Sequence, residues 1–380
     1  MKKVLYRIYA IIFNILRIFP LKPNKITFLS PHNENFNDSL GAVMEELVRR
    51  DEFRIIRISS YDARFDKSSV KAVLKSIKNI LKFYTVQVYH LATSGFVFLN
   101  DNFMPLGMLK FKDKAVITQL WHAEGVFKKF GLDIEQPNEV RELELKGNYT
   151  LNYIVCSSES VVPYYADAFG VPEKKVLPLG AARTDYFFKE INEKRLREEF
   201  DRSYPECKGK KLVLYAPTFR DNPDDDSELV ENIDVKAFND RFGSQYALLV
   251  RLHPQVHTSR QLLEDAVDVC DYENVSELVR LCDILITDYS SICMDFALLK
   301  KPVYFYAFDL EKYEADRAFY FEYENYVPGP VARDFSTLLN LINMGASETY
   351  TSRMETFVDF NFDKPDGNAA KRIADKIVYS

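Results

Sequence analysis

Apolar residues in this chain cluster in short runs, separated by stretches in which they recur every three or four positions. The runs "KITFLSP" (25–31), "FRIIRIS" (53–59), "GFVFLND" (95–101), "AVITQLWH" (115–122), "YIVCSS" (153–158) and "KVLPLG" (175–180) read as strands. Between them "DSLGAVMEELVRR" (38–50), the lysine-rich amphipathic "SVKAVLKSIKNILKFY" (69–84) and "SVVPYYADAFG" (160–170) read as helices. A second series follows: "KLVLYAPTF" (211–219), "YALLVRLHP" (246–254), "VDVCD" (267–271), "DILITD" (283–288) and "VYFYAFD" (303–309). Such alternation predicts an α/β protein with parallel sheets covered by helices on both faces. Two series predict two doubly wound domains, with a boundary near residues 180–210. The charged, helical "RTDYFFKEINEKRLREEFDRSYPECKGKK" there suits a connector, and "DGNAAKRIADKIV" (366–378) reads as a closing helix.

The first residues break this rhythm. "MKKVLYRIYAIIFNILRIFPLKPNK" carries six Lys and Arg and no acid, and Arg7, Asn14 and Arg17 interrupt its apolar run. That falls short of the roughly 20 clean residues of a spanning helix, and no small-residue cleavage site follows. The expectation is a basic, aromatic-rich amphipathic helix lying on an anionic membrane surface. The alternative is a helix packed on the protein's own domain.

Composition narrows the picture modestly. A length of 380 residues exceeds one ordinary core, and 28% charged residues without low-complexity tracts argue against disorder. A net charge of −6 gives no support to nucleic acid as a partner. The 29 Phe and 23 Tyr suit aromatic cores or a surface touching lipid or sugar. Cys156, Cys207, Cys270, Cys282 and Cys293 form no CxxC pair and read as buried free thiols, and no metal-ligand spacing stands out.

Open parallel sheets build sites at the carboxyl ends of their strands, and polar residues gather there. Trp121-His122-Ala123-Glu124-Gly125 follows one strand, Ser157-Ser158-Glu159 another, and Arg183-Thr184-Asp185 a third. In the second series come Pro217-Thr218-Phe219-Arg220, then Arg251-Leu252-His253-Pro254, then Thr287-Asp288-Tyr289-Ser290-Ser291. Of five histidines, His122 and His253 fall at strand ends in different predicted domains, so both would flank a shared substrate if those ends face one cleft. Ser290 and Ser291 open a helix, where free N–H groups and small side chains admit a phosphate. Thr218, Arg220 and Arg251 offer hydroxyl and guanidinium contacts. Chemistry alone therefore points to a phosphate-bearing ligand in the second domain, and a nucleotide is the expectation. Plainer readings stand beside it. "TDYSS" is also an ordinary capped helix start, His253 before Pro254 a turn residue, His122 a packing partner of Trp121, and the acidic "DNPDDD" (221–226) a solvated loop. His32, His90 and His257 have no supporting pattern. There is no P-loop, GxGxxG or GxSxG.

Taken in order, "QLWHAEGVFKKFG" (119–131), "LYAPTFRDN" (214–222), "RLHP" (251–254), "DILITDYSSICMDFALLKKPVYFYAFDLEKY" (283–313) and "DGNAAKRI" (366–373) resemble the CDP-glycerol glycerophosphotransferase family of teichoic acid and capsule synthesis. The resemblance covers roughly residues 25–380. It implies a GT-B-like fold, two Rossmann-like doubly wound domains facing a cleft with an N-terminal amphipathic helix. The implied division is a membrane-associating helix (1–24), an acceptor domain (25–185), a CDP-donor domain (186–355) and a closing helix (356–380). The implied activity moves glycerol phosphate from CDP-glycerol to a lipid-linked acceptor and releases CMP, peripherally on the cytoplasmic face of a bacterial membrane. The family's two histidines fall on His122 and His253. Donor contacts fall on Thr218, Arg220, Arg251, Thr287, Asp288, Ser290 and Ser291, and the family's acidic helix residue on Asp295. The donor substrate is CDP-glycerol or CDP-ribitol, with a divalent cation left open. Where the family often has Gly-Thr after Trp-His, this chain has Ala123-Glu124, which bears on acceptor choice. In the expected mechanism His122 is the general base, while His253 and Arg251 stabilise developing charge. The rivals are a CDP-ribitol donor, a nucleotide-sugar glycosyltransferase of the same architecture, and a non-catalytic membrane scaffold.

Overall fold

The computed structural model describes residues 2–31, 36–220, 222–253, 256, 265–345 and 347–380. His32, His257, Asp221 and Pro254, each touched on above, lie outside the described residues. The chain divides into two compact units: residues up to Phe188 together with Asn361–Ser380, and Lys189–Phe360. The C-terminal segment thus returns to the first unit.

The first unit is built on β1 (Lys22–Ser30), β2 (Arg54–Ser59), β3 (Ser94–Leu99), β4 (Val116–Gln119), β5 (Tyr153–Cys156) and β6 (Val176–Pro178). They form one sheet in the order β2-β1-β3-β4-β5-β6, and every neighbouring pair is parallel. Helices on both faces bury such a sheet, which is why the strand sequences read as continuous apolar runs. Phe28 of β1 stacks on Phe98 of β3 at 5.2 Å. Helix α1 (Lys2–Leu16) precedes the sheet; α2 (Ser39–Arg50), α3 (Val70–Lys82) and α4 (Val88–Ala92) connect its first strands. Leu40, Val43, Met44 and Leu47 of α2 share a core with Ala369, Ala370 and Ile373 of the closing helix Ala369–Val378.

Asp185 ties that helix down. Its two carboxylate oxygens accept from the Ala369 N–H at 2.9 Å and the Ala370 N–H at 2.8 Å. This satisfies two donors that a helix start leaves without partners. The residue that looked like part of a strand-end constellation therefore serves the fold.

Helix α1 packs and projects at once. Tyr9 and Phe13 are buried; Tyr9 meets Phe83, Tyr84 and Phe103 with ring centroids 5.2–5.7 Å apart, and Phe13 meets Phe111 at 4.8 Å. Asn14, which interrupts the apolar run, donates to Met108 O and accepts from the Lys110 N–H. The other side of α1 leaves Val4, Leu5, Ile8, Ile11 and Ile15 exposed. The packed-helix alternative therefore describes one face of this element, while its other face is apolar and exposed.

In the second unit β7 (Lys211–Tyr215), β8 (Tyr246–Val250), β9 (Val267–Asp268), β10 (Ile284–Thr287), β11 (Val303–Tyr306) and β12 (Val331–Ala332) form another parallel sheet. Its order is β12-β11-β10-β7-β8-β9. Read from β9, this is the doubly wound 3-2-1-4-5-6 arrangement, with its reversal between β7 and β10. Lys301 is held at the foot of the sheet, where its ammonium donates to Arg280 O at 2.5 Å and Cys282 O at 2.7 Å, satisfying carbonyls at a helix end. Of the five thiols, four are buried and Cys270 is half-buried; burial pushes Cys156 up to about 12.

Removing the Asp185 carboxylate should loosen the closing helix selectively. Asp185→Ala should cost about 1 kcal/mol. Hydrogen exchange should quicken over residues 369–378 and stay unchanged over 284–306, the strands of the other unit.

Candidate functional site

In the first unit, β3 and β4 pair with Leu99 opposite Gln119, so the segments that follow them leave the sheet side by side. The Gln119 side chain bridges the two tails. Its amide donates to Asp101 O at 3.1 Å and its oxygen accepts from the Trp121 N–H at 3.1 Å. Trp121 has φ 58°, in the left-handed region that bulky residues avoid. Such a conformation costs about 1–2 kcal/mol. Burial of the indole against Phe130 and Phe169, both at 5.2 Å, holds it there.

This turn sets His122 at the surface, its side chain 46% exposed and its Nδ1 3.4 Å from Asp101 Oδ2. The Trp121 ring lies 4.2 Å from the imidazole and limits its rotation. A carboxylate beside Nδ1 favours the tautomer with the proton there and leaves Nε2 as the acceptor. The pair can take a proton from a hydroxyl. Sequence reading missed Asp101. The available signal was a carboxylate just past a strand end, next to the strand that carries the histidine.

The following residues are fixed from several sides. Glu124 is buried and takes a two-pronged contact from Arg183, Nε at 2.9 Å and Nη2 at 2.6 Å. The Gly125 N–H donates to Ser157 Oγ, the Val126 N–H to Asn361 Oδ1, and Tyr165 OH to Ala123 O. Gly125 has φ 59°, and a Cβ there would lie 2.2 Å from Asn361 Oδ1. Glu124, where the sequence departs from Gly-Thr, is thus an internal brace facing Arg183.

In the second unit the reversal of strand order brings residues 216–220, after β7, beside residues 287–291, after β10. The Thr287 hydroxyl donates to Ala216 O at 2.7 Å, and the Thr218 N–H donates to Asp288 Oδ1 at 2.8 Å. Arg220 is buried in a cage. Its Nε and Nη2 reach Asp309 at 2.7 and 3.0 Å, while Nη1 reaches Asp288 Oδ2 at 3.0 Å and Thr218 O at 2.6 Å. Burial opposes the charge, but the carboxylates of Asp288 and Asp309 more than offset it and hold the guanidinium protonated. Tyr289, stacked 3.8 Å from Tyr313, donates its hydroxyl to Asp309. Asp226, from the acidic loop, is buried and accepts from the Arg220 N–H.

The sequence-predicted residues therefore separate into two kinds. Arg220, Thr287 and Asp288 spend their polar groups inside the protein. Arg251 donates through Nη1 to Val269 O at 2.8 Å and Tyr272 O at 2.9 Å, and its other guanidinium nitrogens make no hydrogen bond or ion pair among the described residues. Asp295 is buried in the helix Ile292–Leu298. By contrast, Ser290 and Ser291 are half-buried, and Ser291 makes no side-chain cap bond. Thr218 is buried with its hydroxyl unpartnered among the described residues. His253 is exposed, its ring tilted over Phe219 at 4.7 Å, with the Arg317 guanidinium 5.5 Å from Phe219. The Ser290 hydroxyl accepts from the Ile292 N–H at 3.4 Å. An unpartnered Thr218 hydroxyl and the serine-bearing helix start, at the reversal of a doubly wound sheet, suit a phosphate-bearing ligand. Among the described residues no group of three or more His, Cys, Asp or Glu could hold a metal ion.

The family model for CDP-glycerol:poly(glycerophosphate) glycerophosphotransferases matches residues 11–379. The chain belongs to this family. Members similar to it include a teichoic acid ribitol-phosphate primase of Bacillus spizizenii, 33% identical over 99% of this chain and 98% of the relative. A teichoic acid poly(ribitol-phosphate) polymerase of the same organism is 32% identical over all of this chain, which spans 60% of that protein's length. A teichoic acid glycerol-phosphate transferase of Staphylococcus aureus is 28% identical over 99% of this chain and 98% of the relative. The fold matches the wall teichoic acid polymerase TagF with a TM-score of 0.77 and 24% identity, over 99% of this chain and 94% of that one. Two parallel six-stranded sheets of this kind are the GT-B-like α/β architecture expected from the sequence.

Within this family member, the Arg220 cage should behave as structure. Arg220→Met leaves Asp288 and Asp309 buried without a cation and should cost about 3–5 kcal/mol in thermal unfolding. Ser291→Ala, at the same edge, breaks no bond and should shift stability by no more than about 0.5 kcal/mol.

Proposed function

We propose that this chain transfers a polyol phosphate from a CDP-polyol, CDP-glycerol in the first reading, to a hydroxyl of a lipid-linked teichoic acid or capsule acceptor. The observation that carries the reading is the Asp101–His122 pair at adjacent strand ends, 3.4 Å apart. An exposed imidazole with a carboxylate on one nitrogen is a general base for a hydroxyl.

Roles are assigned unit by unit. In the first unit His122 Nε2 accepts the acceptor hydroxyl's proton as its oxygen bonds to the β-phosphorus. The bond from that phosphorus to the bridging oxygen breaks, and CMP leaves with the oxygen. In the second unit the hydroxyls of Thr218, Ser290 and Ser291 hold donor phosphate. His253 stabilises charge on the phosphoryl and leaving groups. Arg251 carries the β8 end that bears His253, and the Arg220–Asp288–Asp309 cage fixes the loop that bears the serines. Asp295 holds the helix behind them.

A second reading, CDP-ribitol as donor, is favoured by the relatives at 32% and 33% identity, both ribitol-phosphate enzymes by name. Glycerol-phosphate enzymes and the family description support the first. CMP release from each donor, with a lipid-linked disaccharide acceptor, separates the two. His122→Ala should lower turnover with the preferred donor by about 10²–10⁴-fold. Asp101→Asn should lower kcat by a smaller factor with KM for the donor little changed. Near-full turnover in His122→Ala would remove the base assignment.

Two helices of the first unit support a peripheral membrane position. No helix among the described residues is long and apolar enough to cross a bilayer. Besides the open face of α1, α3 exposes Val70, Leu74, Ile77 and Leu81, one stripe at helical spacing, with Lys71, Lys75, Lys78 and Lys82 beside it. Apolar residues flanked by lysines suit an anionic membrane surface. Ile11→Asp combined with Leu74→Asp should abolish sedimentation with phosphatidylglycerol-containing vesicles. CMP release with a soluble acceptor analogue should be retained.

A further inference from the structure

The amino edge of the first sheet, opposite the edge that carries His122, gathers cations without counter-charges among the described residues. Lys25 of β1 lies opposite Arg54, the first residue of β2, and Lys22 lies opposite Ser94, the first residue of β3. The ammonium groups of Lys22 and Lys25 sit over one ring, that of Tyr89, at 5.4 and 5.3 Å. His90 is next along α4, its ring 5.5 Å from the Tyr89 ring. Lys25 is fully buried and donates to Thr93 Oγ1. His90 Nδ1 is buried and has no hydrogen-bond partner. Among the described residues no carboxylate forms an ion pair with Lys22, Lys25, Arg54 or His90.

This arrangement is unfavourable as it stands. Burying an ammonium costs free energy unless an opposite charge accompanies it. Burial, then Lys22 and Arg54, push Lys25 down to about 8, and burial with the same three cations lowers His90. By contrast, the buried Arg220 has two carboxylates, and the half-buried Arg183 has one. An oxyanion among these four groups would meet three cationic side chains and the orphaned imidazole nitrogen, the donor set that phosphate recognition uses.

The margin of the cluster is apolar. The end of α1 and the turn into β1 leave Ile15, Ile18 and Phe19 exposed, and Phe19 packs edge-on against Tyr89 at 5.4 Å. From Lys25 to Ser30 at the far end of β1 is about 15–20 Å of extended chain, so the cluster is separate from the strand ends that carry His122.

We infer that Lys22, Lys25, Arg54 and His90 form a phosphate-oxyanion site, and that its apolar margin assigns it to the headgroup of an anionic phospholipid. The lipid as source rests on the membrane reading above; the oxyanion site does not. Bound there, a phospholipid would fix how the first unit sits on the membrane, through a discrete contact in addition to the diffuse attraction of the α3 lysines.

The test uses the full chain and two probes. Inorganic phosphate, added at constant ionic strength, should raise the melting temperature of the wild type. That rise should fall sharply in Lys22→Gln/Arg54→Gln and persist in Lys71→Gln/Lys75→Gln; a residual rise common to all three reports phosphate in the second unit. Binding to phosphatidylcholine vesicles containing phosphatidylglycerol should weaken about 25-fold in Lys22→Gln/Arg54→Gln, about fivefold per cation removed. Phosphate should compete with those vesicles for the wild type. If phosphate stabilises through Lys22 and Arg54 but does not compete, the site takes a soluble phosphate and the lipid assignment is overturned. If phosphate acts equally on both double variants, and both lose the same vesicle affinity, the cluster is only part of a basic surface and the inference is overturned. Wild type that binds no vesicle would instead sink the membrane reading, while the phosphate arm still decides the site.

Discussion

In a parallel sheet every strand ends on the same edge, so the chain's polar exits are gathered there without any contact having to be evolved between distant residues. Both units obey this constraint, and the candidate chemistry depends on it. Asp101 and His122 meet because β3 and β4 are neighbours. Thr218 and Asp288 meet because the second sheet reverses its order between β7 and β10. Helices on both faces then leave the strand ends as the places where a ligand can approach the sheet.

What holds each edge in shape is different. In the first unit a strained residue does it. Trp121 accepts a left-handed backbone because its indole is buried between Phe130 and Phe169, and the turn orients the imidazole that follows. In the second unit a buried charge network does it. Arg220 is bound to two carboxylates and one carbonyl, which leaves it little freedom and lends rigidity to two loops at once. Strain and buried charge each cost stability, and both sit where geometry matters for a reaction.

The first unit also has a polarity along its strands. Its carboxyl edge carries the Asp101–His122 pair, and its amino edge carries cations that no carboxylate pairs among the described residues, beside exposed apolar residues. Helices α1 and α3 of the same unit also expose apolar residues. On the proposed function, a unit that takes a lipid-linked acceptor at one edge has reason to meet the membrane elsewhere on its surface, and the distribution of charge and apolar area fits that division.

The sequence by itself determined the alternation of strands and helices, the two sheets and the polar residues at the strand ends, because burial on both faces leaves a readable periodicity. It also marked His122 and His253, since polar residues ending apolar runs stand out. Tertiary structure decided what each polar residue does. Arg220 looked like a phosphate ligand in the chain, but Asp288 and Asp309, 68 and 89 residues away, enclose it. Asp185 looked like part of a site, but it holds a helix 184 residues later. Asp101 looked like the last residue of a strand run, but strand pairing makes it the partner of His122. A side chain's function follows from which charges and donors surround it, and those arrive from parts of the chain that local pattern does not connect.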